Sequence, residues 1–184
     1  EWAGQGEELD LGEFRFRDLA DYTIDMVTAD SGQAISEILP YGETDTLCYR
    51  ADVEEPLHAR QMDVWEPLLL AAEQRWDVHF TRISGIIHQR QPAETTARLA
   101  AVLAAESPWS LTALRMLASL SASLVIALAA IAPDADAKVL WGAAHLEEDW
   151  QVELWGQDEE AAELRALRFE AFQLAMCFAE LARA

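Results

Sequence analysis

The sequence predicts an α+β chain that is predominantly α-helical, with a C-terminal helical bundle and one small β element. Three observations carry this reading. Apolar residues recur at helical spacing through the second half, prolines and small polar residues stand where helices should begin, and only two short stretches are rich in β-formers.

The elements follow in order. Glu1 to Gln5 reads as a short helix, and Phe16 to Val27 and Gln33 to Leu39 as two more, with Pro40-Tyr41-Gly42 expected to stop the last. Tyr41 to Arg50 then reads as a loop, and Thr46 to Ala51 as a short candidate strand. From Glu55 a long helix runs to about Trp76, with Pro56 in the first turn, where its missing N–H leaves no bond unmade. Val78 to Ile87 is β-rich, interrupted by Gly85, and is expected to pair with Thr46 to Ala51. Pro92 opens a helix to about Glu106, and Ser107-Pro108 starts a central one that continues to Ala132. Pro133-Asp134 breaks the chain, a fourth helix runs to Trp155 and ends at Gly156, and a last helix covers Asp158 to Arg183. The expected division is an N-terminal region with the loop over residues 1–52, and a helical domain over 53–184 with a β insertion near 78–90.

Two of these helices carry two apolar stripes each. Leu164, Leu167, Ala171, Leu174, Phe178 and Leu181 form one, and Phe169, Phe172 and Met176 form another nearly opposite. The helix ending at Trp155 likewise has Ala137, Leu140, Trp141, Ala144, Val152 and Trp155 on one side. Val139, Ala143, Leu146, Trp150 and Leu154 lie on the other. Such a helix is either sandwiched inside a bundle or keeps a face for a partner. In a five-helix chain, sandwiching is the expectation.

Composition narrows the function. The 184 residues carry 33 acids against 13 bases, a net charge of −20, which argues against nucleic acid or an anionic membrane as partner. The apolar-and-small run Met116 to Ala132 falls short of the ~20 residues a span needs and contains three serines, so no membrane insertion is expected. Cys48 and Cys177 match no metal or redox spacing and point to a reducing compartment. The chain starts at Glu1 rather than Met, which suggests a cut or processed N-terminus.

Tyr41-Gly-Glu-Thr-Asp-Thr-Leu-Cys-Tyr-Arg50 holds aromatics, acids and an arginine where a plain connection would use turn residues, so it reads as a site or a docking surface. Glu148 lies in line with Trp141, Ala144 and Trp155 on an apolar stripe. It must therefore be paired (with Arg50, Arg60 or Arg115), protonated, or turned to a partner. Glu55-Pro-Leu-His58 has the spacing of a di-iron carboxylate half-site, but no second Glu-x-x-His exists. His79 and His88 have no ligand spacing. Phosphate loop, nucleophile elbow and dinucleotide fingerprint are all missing. The residues thus favour an interaction protein without cofactor. A small metal- or thiol-dependent enzyme centred on Asp45, Cys48 and His58, or a permanent structural adaptor, are the alternatives.

Several blocks together resemble the F1-ATPase assembly factors that act as chaperones of the ATP synthase α subunit in mitochondria and some bacteria. They are Glu1-Trp2 with Gln5, Thr23-Ile-Asp25, Tyr41 to Arg50, Arg60-Gln61, Trp65-Glu-Pro67, Leu111-Thr-Ala-Leu114, Leu146-Glu-Glu-Asp-Trp-Gln151 and Trp155-Gly-Gln-Asp-Glu159. They span nearly the whole chain in the right order. The resemblance implies a non-enzymatic chaperone that binds unassembled α subunits, shields the surface that later meets the β subunit, and leaves when β arrives. It implies no cofactor, and a location in the bacterial cytoplasm or the mitochondrial matrix.

By position, Tyr41, Thr44, Asp45 and Arg50 match one family block, and Glu148, Gln151, Trp155, Gly156, Asp158 and Glu159 match another. The resemblance makes Glu148 and Trp155 to Glu159 the chief partner contacts. Tyr41, Asp45 and Arg50 either contribute or brace the loop. Family members carry a further β-rich segment before the Glu-Trp block, which this chain lacks. Gly12 to Arg17 departs from the family's Met-Pro-containing segment.

Overall fold

A 3-10 turn at Trp2–Gly4 precedes α1 (Arg15–Tyr22). Glu1 does for α1 what its own N-cap cannot: its carboxylate accepts from the amides of Phe16 at 2.7 Å and Arg17 at 3.1 Å. The computed structural model describes residues 1–7, 10, 12, 14–85 and 87–183. Glu13 in the Gly12 to Arg17 stretch and Ile86 in the β-rich stretch lie outside the described residues. From α1 the chain runs straight into a π turn, Thr23–Val27, so the predicted helix Phe16 to Val27 is present with a wide last turn.

α2 (Ser31–Ile38) starts at Asp30, whose carboxylate accepts from the amide of Gln33 at 2.9 Å. Pro40 does not stop the chain's helical path. Leu39 keeps helical angles and Pro40 takes the first position of a further turn, α3 (Pro40–Glu43), where its lack of an N–H is harmless. A 3-10 turn over Thr46–Cys48 leads into β1 (Tyr49–Arg50). The expected strand Thr46 to Ala51 therefore shrinks to two residues. They pair in parallel with β2 (Ile83–Ser84), Tyr49 opposite Ile83 and Arg50 opposite Ser84. Between the strands runs α4 (Pro56–Trp76), the predicted long helix.

α5 (Ala93–Ala104) and α6 (Pro108–Ser121) begin where Pro92 and Ser107-Pro108 predict. The central helix does not reach Ala132. Ala122 turns left-handed at φ 50°, and Ser123 caps a separate α7 (Leu124–Ala130) by accepting from the amide of Ile126 at 3.0 Å. The fourth helix is likewise two: α8 (Ala137–Ala144) and α9 (Leu146–Trp155), bent apart at His145. α10 (Glu159–Leu181) closes the chain.

The core is built around α6, which is packed by α2, α7, α10 and the π turn. Its buried residues run almost all the way round, from Ser110, Leu111, Thr112, Ala113 and Leu114 to Leu117, Ala118 and Ser121. That explains the apolar-and-small run: it surrounds itself with protein. The polar members are satisfied inside, Thr112 sharing a 2.7 Å hydrogen bond with Thr23, and Ser121 donating to the carbonyl of Leu117 at 2.7 Å. Among the described residues no helix is long and apolar enough to cross a membrane. The outcome is the expected class: predominantly helical, with a two-stranded parallel sheet as its β element.

Candidate functional site

The Tyr41 to Arg50 block is folded inward. Asp45 is completely buried, and its carboxylate accepts from the amide of Leu47 at 3.1 Å and from that of Val125, in the first turn of α7, at 2.9 Å. Burial pushes its pKa up to about 6, against the pull of these amide donors. Beside it, the amide and hydroxyl of Thr46 both donate to the carbonyl of Ala122, so the block fastens the α6–α7 break.

Arg50 is also buried. Its guanidinium reaches the carbonyl of Leu47, pairs with Glu66 at 3.2 Å and lies over the Trp65 ring. Glu66 also holds Arg82, which in turn reaches Glu73, so β1 and β2 are pinned to α4 by one charge network. Of the two roles expected for Asp45 and Arg50, bracing is the one their buried contacts serve in this structure. Tyr41 alone of the three remains half exposed, in a shallow cleft with Tyr22, Glu37 and Arg115.

The second block is arranged in the opposite way. Glu148 is exposed and makes no ion pair or side-chain hydrogen bond among the described residues. The three arginines expected as its internal partners are all engaged elsewhere: Arg50 by Glu66, Arg60 by Glu153 and Arg115 by Glu37. Gln151, Trp155, Gly156, Asp158 and Glu159 are exposed as well, Trp155 to 77%. With Glu148 at its rim, a cleft of about 310 Å³ is lined by Gln151, Val152, Trp155, Gly156, Asp158 and Arg165. Of the predicted residues in this block, only Glu159 lies outside that lining.

Local chemistry explains the shape. Gly156 has φ 91°, a conformation that strains any L side chain, and it turns the chain sharply after α9. Asp158 then caps α10, accepting from the amide of Ala161 at 2.9 Å. Arg165 pairs with Asp149 and locks the two helices into a hairpin. Its base is held by α4: Arg60 grips Glu153 with bonds of 2.7 and 2.8 Å, and Gln61 donates to Glu147 at 2.8 Å. Arg165 carried no signal in the sequence; Arg60, expected as a partner of Glu148, instead holds Glu153, and Gln61 stood in a family-like block without an assigned role.

The sandwiching expected for the two-striped helices fails here. No residue from 147 to 171 is buried, and Leu154, Trp155, Leu164 and Leu167 all face solvent. Burial resumes only at Phe172.

The chain is similar to known proteins over most of its length. The family described as ATP12 chaperone protein matches residues 1–73. The crystal structure of Atp12 from Paracoccus denitrificans is similar at 31% identity with a TM-score of 0.92, over 98% of this chain and 77% of that one. The chain belongs to the ATP12 chaperone family.

A point mutant of the same Paracoccus Atp12 superposes equally well, with a TM-score of 0.93 at 31% identity over the same shares of both chains. The Atu1473 protein of Agrobacterium tumefaciens is 37% identical with a TM-score of 0.83, over 88% of this chain. The present chain spans 61% of the Agrobacterium protein's length.

ATP12 relatives are chaperones rather than enzymes, and the residues of the alternative enzyme reading are not set up for chemistry. Cys48 is buried, and burial with Asp45 beside it drives its thiol far above the ordinary range, the reverse of a nucleophile's need. Asp45 is engaged by backbone amides, and His58 stands in the first turn of α4. Among the described residues no cluster of metal-binding side chains occurs.

Proposed function

We propose that this ATP12-family chain binds the unassembled α subunit of ATP synthase, shields the surface that will meet the β subunit, and is displaced when β arrives. The α9–α10 hairpin is the proposed contact, with Glu148, Gln151, Trp155, Gly156, Asp158 and Glu159 as its reading residues and Tyr41 as a candidate outlier. The observation carrying this reading is the exposure of those six residues on one hairpin, five of them at a single cleft, with Trp155 bare. An exposed tryptophan beside unpaired carboxylates suits a protein interface, where aromatic anchors sit among polar neighbours. A chaperone working on F1 subunits belongs where they are assembled: the bacterial cytoplasm, as the two bacterial relatives suggest, or the mitochondrial matrix.

The test mixes the chain with isolated α subunit and then adds β. Capture of α followed by release on addition of β supports the proposal. A stable ternary complex would identify a permanent adaptor instead, and failure to capture α would refute the reading altogether.

A further inference from the structure

Of the two apolar stripes of α10, the one through Leu164, Leu167, Ala171, Leu174 and Phe178 is covered along only part of its length. Around Phe178 the stripe is closed: Phe178 is buried against Trp109 and Phe16, and Ala175 one turn earlier is buried too, with only Leu181 at the very end exposed. Toward the N-terminus the same stripe continues through Leu167 and Leu164, which are 58% and 59% exposed. The reason is the length of α6. It stops at Ser121, beside the point where Arg168 donates to the carbonyl of Leu120 at 3.3 Å. Beyond Arg168, α10 runs on from Leu167 back to Glu159 without the helix that covers its other half. Nine residues at helical rise leave a bare shelf about 14 Å long, room for two to three turns of another helix.

The charge around this shelf is one-sided. Residues 147–171 hold nine acids and two arginines. Both arginines are turned to internal duties, Arg165 to Asp149 and Arg168 to Leu120. Glu160 and Glu163 share the face of Leu164 and Leu167 by their three- and four-residue spacing, and both are exposed with no ion pair among the described residues. A second acidic chain, this protein included, would be repelled.

We infer that the shelf is a docking groove for a basic amphipathic helix of the client, laid against Leu164 and Leu167 in continuation of α6, with its lysines or arginines facing Glu160 and Glu163. Helix-in-groove recognition needs an apolar strip of this length and charges that choose the partner's sign. The inference deepens the proposed α-subunit reading, adding the α10 shelf to the hairpin cleft and stating what the client must present.

The probe is a synthetic helical peptide of leucine and lysine in amphipathic register, compared with one carrying glutamate for lysine. Anisotropy titrations should show binding of the lysine peptide only, weakening about ten-fold between roughly 50 and 300 mM salt. Leu164→Ser with Leu167→Ser, which leaves charge unchanged on exposed positions, should abolish binding, as should Glu160→Lys with Glu163→Lys. Asp52→Lys with Glu54→Lys, equally exposed but on another segment, should keep it. Amide exchange should place the protection at residues 159–168. Binding that survives the leucine double variant, protection elsewhere, or no binding of the lysine peptide overturns the inference. Isolated α subunit separates the two levels. If α is captured and the leucine variant captures it equally well, the shelf fails while the α reading stands. If the peptide occupies the shelf and α is not captured, the shelf stands and the α reading fails.

Discussion

Trp65 donates its indole N–H to the carbonyl of Ala143 across 2.7 Å, from a position with no solvent exposure. Ala143 lies in the last turn of α8, where a helix leaves carbonyls without partners. The bond thus joins α4 to the point at which α8 gives way to α9. Arg60 and Gln61, on the same helix as Trp65, hold α9 from below. The hairpin's direction is therefore set by α4, a helix that contributes nothing to the exposed cleft.

Trp65→Phe keeps an aromatic ring but deletes the donor and leaves the Ala143 carbonyl buried without its partner. The expected loss is about 2–4 kcal/mol, from the orphaned acceptor together with the volume removed. Urea denaturation measures it. A loss below about 0.5 kcal/mol would mean that the bond does not hold the junction.

Gly156→Ala tests the turn of the hairpin. A Cβ there meets no atom within 4 Å, so only the backbone angle is at issue. Holding alanine at φ 91° costs on the order of 1 kcal/mol or more, and the chain relieves it by swinging α9 against α10. The expected result is a nearly unchanged melting midpoint, with weakened capture of α subunit and faster amide exchange over 151–158. Full capture with unchanged exchange would show that the turn tolerates a side chain and does not set the cleft.

Long helices were legible where composition and caps agree, as with Pro56 at the head of α4 and Asp158 at the head of α10. Breaks were not. Ala122 takes a left-handed conformation without being glycine, and His145 bends the fourth helix with no proline nearby. In both places tertiary contacts decide: Thr46 takes the Ala122 carbonyl, and Trp65 takes that of Ala143. Ser123 did offer a local sign, since a serine three residues before an unpaired amide is an N-cap, but the apolar run around it masks it. The candidate site divides in the same way. Glu148, Gln151, Trp155 and Asp158 come together because one glycine folds two adjacent helices, which is local information. The burial of Asp45 and Arg50 depends on α7 and α4, distant in sequence, and no spacing announces it.

The pH dependence of stability should carry the mark of Asp45. Its folded pKa, raised to about 6 from 3.8, means that the native state holds the proton more tightly than the unfolded chain. The stability it contributes is therefore full below pH 3.8 and is lost as pH rises through about 6. His145 works the other way: burial lowers its pKa, so its contribution is present above 6.5 and lost as pH falls. Comparing wild type with Asp45→Asn at each pH cancels His145, which both proteins share. The margin of wild type over the variant should shrink by roughly 1–3 kcal/mol between about pH 4 and pH 7. A margin that stays flat or widens would contradict the burial of a titrating carboxyl at this junction.

Glu148→Lys separates a structural from a binding role at the residue most favoured by sequence. An exposed carboxylate without an ion pair should cost within about 0.5 kcal/mol when changed, and the melting curve should barely move. Its neighbours add a small penalty, because Glu148 stands in the acidic first turn of α9 with Glu147 and Asp149, where negative charge suits the helix dipole. Binding should respond far more. Reversing a charge at the rim of the cleft turns attraction for a basic client into repulsion, so capture of α subunit should fall at least about ten-fold, chiefly through a slower on-rate that added salt partly restores. Glu148→Gln should lie between the two. If Glu148→Lys unfolds the protein, the exposure described for this residue is wrong. If it folds and captures α as wild type does, Glu148 stands outside the interface and Trp155 with Leu164 and Leu167 must carry the contact.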